Sequence, residues 1–207
     1  MGQCGVLIRN RNPVATAAFM QLAELCRDEF QAAGLLESIP AYDSLVLKFS
    51  SPVDLKLLQS RLKRVAEVAT AQAAESHSQV AQTHVLSVDF SKGLDWEFAT
   101  AHTGVGRDDF IEEMCCVEFS VAMLGFLPGF AYLTGLPERL HLPRRPSPRP
   151  NVSSGSLSIG GEHCGIYRLP CPGGWQILGE VDLGLSVELD RLLGQFGIGD
   201  KVRFVSC

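Results

Sequence analysis

Apolar residues follow two alternating rhythms over the first third of the chain. Gly5 to Arg9 is a short apolar run fit for a strand, and Asn12 as N-cap with Pro13 at the first helical position predicts a helix directly after it. Ala18, Leu22, Leu25, Cys26, Phe30 and Ala33 recur at three- and four-residue spacing, which puts them on one buried stripe, and Gly34 supplies a left-handed stop. Leu35 to Ile39 and Ser44 to Phe49 then read as strands around a turn at Pro40 to Asp43, with Leu45, Leu47 and Phe49 on one face. A second helix repeats the grammar: Ser51 caps, Pro52 takes the first turn, and Leu55, Leu58, Leu62, Val65, Ala66 and Ala69 form the stripe. Strands closing against two amphipathic helices predict a small α+β domain over residues 1–72.

From Ala71 to Gln82 the chain turns Ala/Gln/Ser/His-rich and loses its apolar period, a linker composition that places a boundary at 73–82. Beyond it come short strand candidates at His84 to Phe90, Val117 to Leu124, Ser156 to Ile159, Gly165 to Arg168, Trp175 to Leu178, Leu185 to Leu189 and Lys201 to Val205. Leu94 to Thr103 and Arg107 to Met114 read as helices, the second opened by Asp108 and Asp109. Many short strands punctuated by Gly and Pro predict a mainly-β, closed or nearly closed domain over 83–207.

Composition narrows the function classes. The chain has 207 residues, of which 46% are hydrophobic and 20% charged, as in ordinary globular proteins. Eighteen Lys and Arg against 23 Asp and Glu leave a net charge of −5, which argues against a general affinity for nucleic acid or an anionic membrane, so anion binding must be local. No run approaches the roughly 18 apolar residues of a membrane span. The densest stretch, Ala122 to Leu133, is broken by Gly125, Pro128 and Gly129. Seven cysteines, an odd number without a Cys-x-x-Cys pair, predict reduced thiols in a cytoplasmic setting; the adjacent Cys115 and Cys116 would face opposite sides of a strand. There is no secretory signal pattern, and Met1-Gly2-Gln3-Cys4 resembles an acylation start at Gly2 and Cys4 with Val6 in place of the usual Ser or Thr.

Several familiar sites are missing by spacing. There is no G-x-x-x-x-G-K-[ST] loop and no Gly-x-Ser-x-Gly elbow, and Gly104-Val105-Gly106 lacks a third glycine and a preceding strand. The five histidines form no metal-ligand pairs, so no metal is expected. His163 and Cys164, as strand neighbours, face opposite ways, which leaves Cys164 as a small buried hydrophobe.

The informative region runs from Gly125 to Gly179. Gly125 to Leu133 sets two glycines and a proline among bulky aromatics, a pattern for a backbone bending sharply beside a pocket or for a bulged core strand. Phe126 and Phe130 read as packing residues, while Gly129 and the Tyr132 hydroxyl suit close ligand approach. Pro143 to Pro150 sets Arg144, Arg145 and Arg149 on a stiff scaffold matched to carboxylate or phosphate. The same stretch also reads as a solvated proline-rich loop or a minimal PxxP ligand. Ser153-Ser154-Gly155-Ser156 adds hydroxyls and amides, and Pro172-Gly173-Gly174 reads as a turn delivering Trp175 into a strand.

Taken together, Gly125 to Leu133, Pro143 to Ser156, Gly165-Ile166-Tyr167 and Pro172 to Gly179 closely resemble the KipI family, also called allophanate hydrolase subunit 1 or the B-type subunit of 5-oxoprolinase. Gly199-Asp200-Lys201-Val202-Arg203-Phe204 matches the family's closing strand. The resemblance implies a cyclophilin-like β-barrel joined to the small α+β domain. It also implies work beside a homologous second subunit, of the kind called allophanate hydrolase subunit 2 or the C-type subunit of 5-oxoprolinase. The pair looks like the carboxyltransferase-type region of urea carboxylase, and in ATP-dependent 5-oxoprolinase it implies a hydrolase component inactive on its own. The assembled enzyme would use ATP on a small carboxylate or amide substrate. In that setting Arg144 and Arg149 would hold the anion, Gly129, Tyr132 and Trp175 would line the pocket, and Ser154 and Ser156 would donate hydrogen bonds. Ser156 and His163 are the catalytic candidates. One family member instead inhibits a histidine kinase, which leaves a non-catalytic regulator as the alternative, beside an allophanate hydrolase or urea carboxylase subunit. Polar positions depart from the pattern: Met114 stands for a histidine that would transfer protons, His163-Cys164 for Gln-Thr, Ser153-Ser154 for Pro-Ala, and Glu180 for an arginine.

Overall fold

Leu45, Leu47 and Phe49 are buried along the strand Ser44–Phe49 (β3), and their alternation decides which side of the first sheet is dry. The computed structural model describes residues 4–9, 16–40, 44–75, 81–181 and 196–207. The chain divides into two compact units, Met1–Val80 and Ala81–Cys207. In the first, β1 (Gly5–Arg9) and β2 (Leu35–Pro40) pair antiparallel on either side of β3. Helices α1 (Thr16–Phe30) and α2 (Leu55–Glu75) supply Leu22, Cys26, Phe30, Leu58, Val65 and Ala69 to one core. Arg61 of α2 donates to the Glu29 carboxylate at 2.8 Å and lies over the Phe30 ring, so the two helices are joined by packing and charge.

The local punctuation differs from expectation at three points. Asp54, not Ser51, caps α2: its carboxylate accepts the Lys56 and Leu57 amides at 2.8 and 3.2 Å, leaving Pro52 in the approach. Leu55, at the first position of the helix, is exposed, and Ala33 lies exposed in a 3₁₀ turn that Gly34 ends at φ 81°. The helix continues to Glu75, three residues into the stretch expected as linker, because Gln72, Ala73, Ala74 and Glu75 are good helix formers. Asn12, Pro13, the turn residues 41–43, residues 76–80 and the first three residues lie outside the described residues, as do the Ala18 side chain and the expected strand at 185–189.

In the second unit, seven of the described strands close a barrel. They are β4 (Thr83–Asp89), β5 (Phe119–Leu124), β6 (Ala131–Thr134), β8 (Ser156–Gly160), β9 (His163–Ile166), β11 (Gln176–Val181) and β12 (Lys201–Ser206). Their order is β11-β4-β12-β5-β6-β9-β8, with β4 and β12 parallel and every other pair antiparallel. Helices α3 (Trp96–Thr103) and α4 (Arg107–Cys116) add Trp96, Phe110 and Met114 to a core with Phe119, Leu133, Leu157, Ile159, Cys164 and Phe204. Met114 is fully buried there, a packing residue. Cys115 and Cys116 end a helix rather than occupying a strand. A two-stranded ribbon of β7 (Arg149–Val152) and β10 (Cys171–Gly173) stands apart from the barrel sheet. Pro172 and Gly173 therefore run extended in a ladder, not through the expected turn, and Gly173 carries no left-handed φ. Among the described residues no helix is long and apolar enough to cross a membrane, and no three His, Cys, Asp or Glu gather as metal ligands.

Asp200 closes the barrel at the start of β12. Its carboxylate takes the Gln82 amide at 3.0 Å, the Gly197 amide at 2.8 Å and the nearly buried His84 ring at 2.9 Å. Burial pushes this carboxyl up, but the Gly197 amide, His84 and the Gln82 amide together outweigh it and hold the group below its ordinary value. A depressed carboxylate stabilises the fold fully above the unfolded value of about 4, and that contribution is lost as pH falls through the folded value. Urea midpoints of Asp200→Asn should therefore fall less than wild type's on going from about pH 6 to about pH 3. Parallel pH dependence in the two proteins would place the acid sensitivity elsewhere.

Candidate functional site

The outer face of β6, β9 and β8 is where the barrel accepts side chains from outside. Ala131, Leu133, Cys164, Ile166, Leu157 and Ile159 belong to the barrel core, so strand alternation turns Tyr132, His163, Gly165, Ser158 and Gly160 outward. Two glycines on this face let aromatic rings lie directly on backbone. A Cβ at Gly160 would come within 2.5 Å of the Trp175 ring, and one at Gly165 within 2.8 Å of Phe130. Phe130, almost fully buried, is the hub: its ring meets Phe126 at 5.5 Å, Tyr132 at 5.0 Å, Tyr167 at 5.4 Å and Trp175 at 5.5 Å, all edge to face. Such contacts add about 0.5–1.5 kcal/mol each beyond burial.

These rings form a pocket of about 330 Å³ with Arg144, Arg145, Pro148 and the 172–174 backbone. Leu127-Pro128-Gly129-Phe130 is a tight turn closed by the Phe130 amide on the Leu127 carbonyl at 3.0 Å, with Gly129 at φ 78°. Phe126 before it holds φ 70°, the one non-glycine in the left-handed region among the described residues, and the residue is 60% exposed at the pocket. The packing expectation thus holds for Phe130 and fails for Phe126, whose strained backbone presents an aromatic to solvent. Burial pushes the Tyr132 phenol up, with Arg144 opposing, and burial likewise raises Tyr167, so both remain neutral donors at physiological pH.

The proline-arginine segment is a strap fastened at several points. The Gln176 amide donates to the Pro143 carbonyl at 2.9 Å, the Arg145 amide to the Gly174 carbonyl at 2.7 Å, and Gly161 bridges Leu142. Arg144, between these fastenings, sends its guanidinium over the Trp175 ring at 5.7 Å. Its two neighbours turn inward. Asp95, with a side chain only 4% exposed, accepts Arg145 at 3.0 Å and Arg149 at 2.6 Å on one oxygen and the Ile177 amide at 2.6 Å on the other. Arg149 therefore braces the strap through Asp95 and takes no part in the pocket lining, whereas Arg144 and Arg145 both border the pocket, Arg145 with its guanidinium already held by Asp95.

On the far side of Arg144 lies an open groove of about 650 Å³, lined by His102, His141, Glu162, His163 and the glycines at 160 and 161. Burial pushes His163 below its ordinary value; Glu162 opposes this, and Arg144 and His141 add to it. The imidazole is thus neutral near pH 7, with its ring 6.0 Å from that of Tyr132.

Tyr132, Arg144 and Trp175 come together at the pocket, and His163 stands beside them in the groove. Gly129 shapes the neighbouring turn, with the Arg168 side chain against it, and is not part of either lining. Ser154 donates to the Arg168 carbonyl at 2.5 Å, and Ser156 is buried in β8, so neither hydroxyl joins a lining. The Ser153–Ser156 turn also spends its amides internally: Gly155 donates to Tyr167 and Ser156 to Ser153. Glu180 is exposed on β11, away from both cavities. No sequence signal marks Asp95, since its partners lie 50 and 54 residues further along the chain.

The family of carboxyltransferase domains, subdomains C and D, matches residues 1–186. The B-type subunit of 5-oxoprolinase from Escherichia coli O157:H7 is 34% identical over 206 residues, covering 99% of this chain and 93% of that protein. The crystal structure of TTHA0988 aligns with 98% of this chain at 27% identity and a TM-score of 0.71; this chain spans 39% of the length of that one. Urea carboxylase from Kluyveromyces lactis shares the fold at a TM-score of 0.74 and 17% identity, over 98% of this chain and 21% of that one. With the family match running through both units and the relative aligned over 99% of the chain, the chain belongs to the carboxyltransferase-domain family of subdomains C and D that includes the B-type subunit of 5-oxoprolinase.

Proposed function

We propose that the chain is the B-type component of a cytoplasmic, heteromeric, ATP-dependent amide hydrolase of 5-oxoprolinase type. It completes its site with a homologous second subunit, the C-type component of such an enzyme. The observation that carries this reading is 34% identity to a relative of the B type over 99% of this chain, and the pocket is in keeping with it. A small lactam ring bearing a carboxylate needs apolar walls, one cation and a neutral donor. Phe130, Tyr167 and Trp175 offer the walls, Arg144 the cation, and the Tyr132 hydroxyl a donor toward an amide oxygen. His163, uncharged near neutrality, is the acid/base group nearest that arrangement. The closed barrel serves as the cyclophilin-like body on which these groups are mounted. The chain presents no Gly-rich phosphate loop, so no step through ATP is assigned to it, and ATP use belongs to the assembled enzyme.

Co-expression with a homologous second subunit should yield a stable complex with ATP-dependent formation of glutamate from 5-oxoproline, while the purified chain alone turns over neither compound. Robust turnover by the isolated chain, or a complex that forms but never acts on 5-oxoproline, would overturn the reading.

A further inference from the structure

We propose that the histidine-lined groove beyond Arg144 is a binding site for a phosphoryl group, and that occupying it draws a proton onto His163. Arg144 lines both cavities, with the aromatic pocket on one side and the groove on the other. Its guanidinium supplies several N–H donors in a fixed fork, and His102, His141 and His163 border the same space. A carboxylate offers two coplanar oxygens and one charge, which a single guanidinium edge satisfies. A guanidinium fork beside an imidazole that becomes a donor at both nitrogens on taking up a proton instead suits a group with three acceptor oxygens and up to two charges.

The protonation state of the groove makes the inference specific. Before binding, His163 is neutral near pH 7, with a Glu162 carboxylate oxygen 3.9 Å from its Nε2 and Arg144 bordering the same space. His141 sets its Nε2 3.0 Å from the Leu136 carbonyl, which only accepts. The neutral ring therefore carries its proton on Nε2, and His141 gains a second donor, at Nδ1, only as imidazolium. His102 stacks on Phe98 at 5.6 Å, and Tyr132, an uncharged phenol, lines the aromatic pocket on the other side of Arg144 and not the groove. A phosphoryl dianion in this setting raises the affinity of His163 for a proton, and by linkage that proton tightens the hold on the anion.

Every residue named in the groove is this chain's own, so the test uses the chain by itself and stands apart from the assay of the proposed function. Calorimetry of the full chain at about pH 7.5 would use inorganic phosphate as the probe, with acetate as the carboxylate comparison. Acetyl phosphate and ADP would then separate an acyl phosphate from a nucleotide as the source of the group. The expected result is phosphate binding at about 1 mM or tighter, with acetate at least tenfold weaker. Binding enthalpies should differ between buffers in the sense of proton uptake, and the His163 ring resonances should shift on titration. Arg144→Gln should abolish saturable binding, and His163→Gln should reduce the proton uptake while the thermal midpoint stays near wild type. No saturation by about 10 mM phosphate, equal binding of acetate, or proton uptake unchanged in His163→Gln would each overturn the proposal.

Discussion

Asp95→Ala should lower the stability of the barrel unit by about 3–5 kcal/mol, the cost of removing one member of a buried charge cluster and stranding the others. For a unit of this size that is a fall in Tm on the order of 10 °C or more. The reason is the imbalance of the cluster: one carboxylate serves two guanidinium groups and a backbone amide, so its loss leaves three sets of donors without an acceptor. There is no reserve among the described residues. Arg145 Nε and Arg149 Nη1 are already buried without a hydrogen-bond partner in the protein. The cost is uneven, because the Arg145 side chain is 35% exposed and can turn to water, whereas that of Arg149 is 18% exposed and cannot do so as easily. A double-mutant cycle should accordingly find stronger coupling of Asp95 to Arg149 than to Arg145. Asp95→Asn, which keeps an acceptor but not the charge, should fall between wild type and Asp95→Ala. A loss below about 1 kcal/mol for Asp95→Ala, in urea or thermal unfolding, would show that the strap is not held this way.

Asp95 also marks where sequence reasoning stops. Leu45, Leu47 and Phe49 announce their sheet face by alternation, and Leu157 and Ile159 do the same for the barrel, because period and burial are local properties of a strand. The strands Ala131–Thr134, Arg149–Val152 and Cys171–Gly173 escape such reading: each has three or four residues, and the last two contain proline. Their pairing is fixed by the barrel and ribbon around them, not by propensity. The same division runs through the site. Tyr132, Trp175 and the arginine-rich segment stand out as residue types, and the glycines at 160 and 165 become meaningful only once Trp175 and Phe130 are seen resting on them. Which arginine faces the pocket depends on an aspartate at the entrance to α3, and no local pattern connects the two.

That distinction yields the second large effect, a pair of substitutions with opposite consequences. Arg144→Lys should weaken 5-oxoproline binding in the assembled complex by about 1–3 kcal/mol, roughly 5- to 150-fold, because lysine keeps the charge but loses the planar fork and the stacking on Trp175. Its Tm should stay within about 2 °C of wild type, since the strap is fastened by the backbone of Pro143 and Arg145 and not by the Arg144 side chain. Arg149→Lys should do the reverse. A single ammonium cannot reproduce the guanidinium contact to Asp95 at 2.6 Å in a nearly buried site, so stability should fall by about 1–3 kcal/mol with affinity close to wild type. Calorimetric affinity and thermal midpoint, measured on both variants of the same complex, separate the roles. If Arg149→Lys weakens binding as much as Arg144→Lys while leaving the midpoint unchanged, the anion lies on the Asp95 side of the strap and the pocket assignment falls.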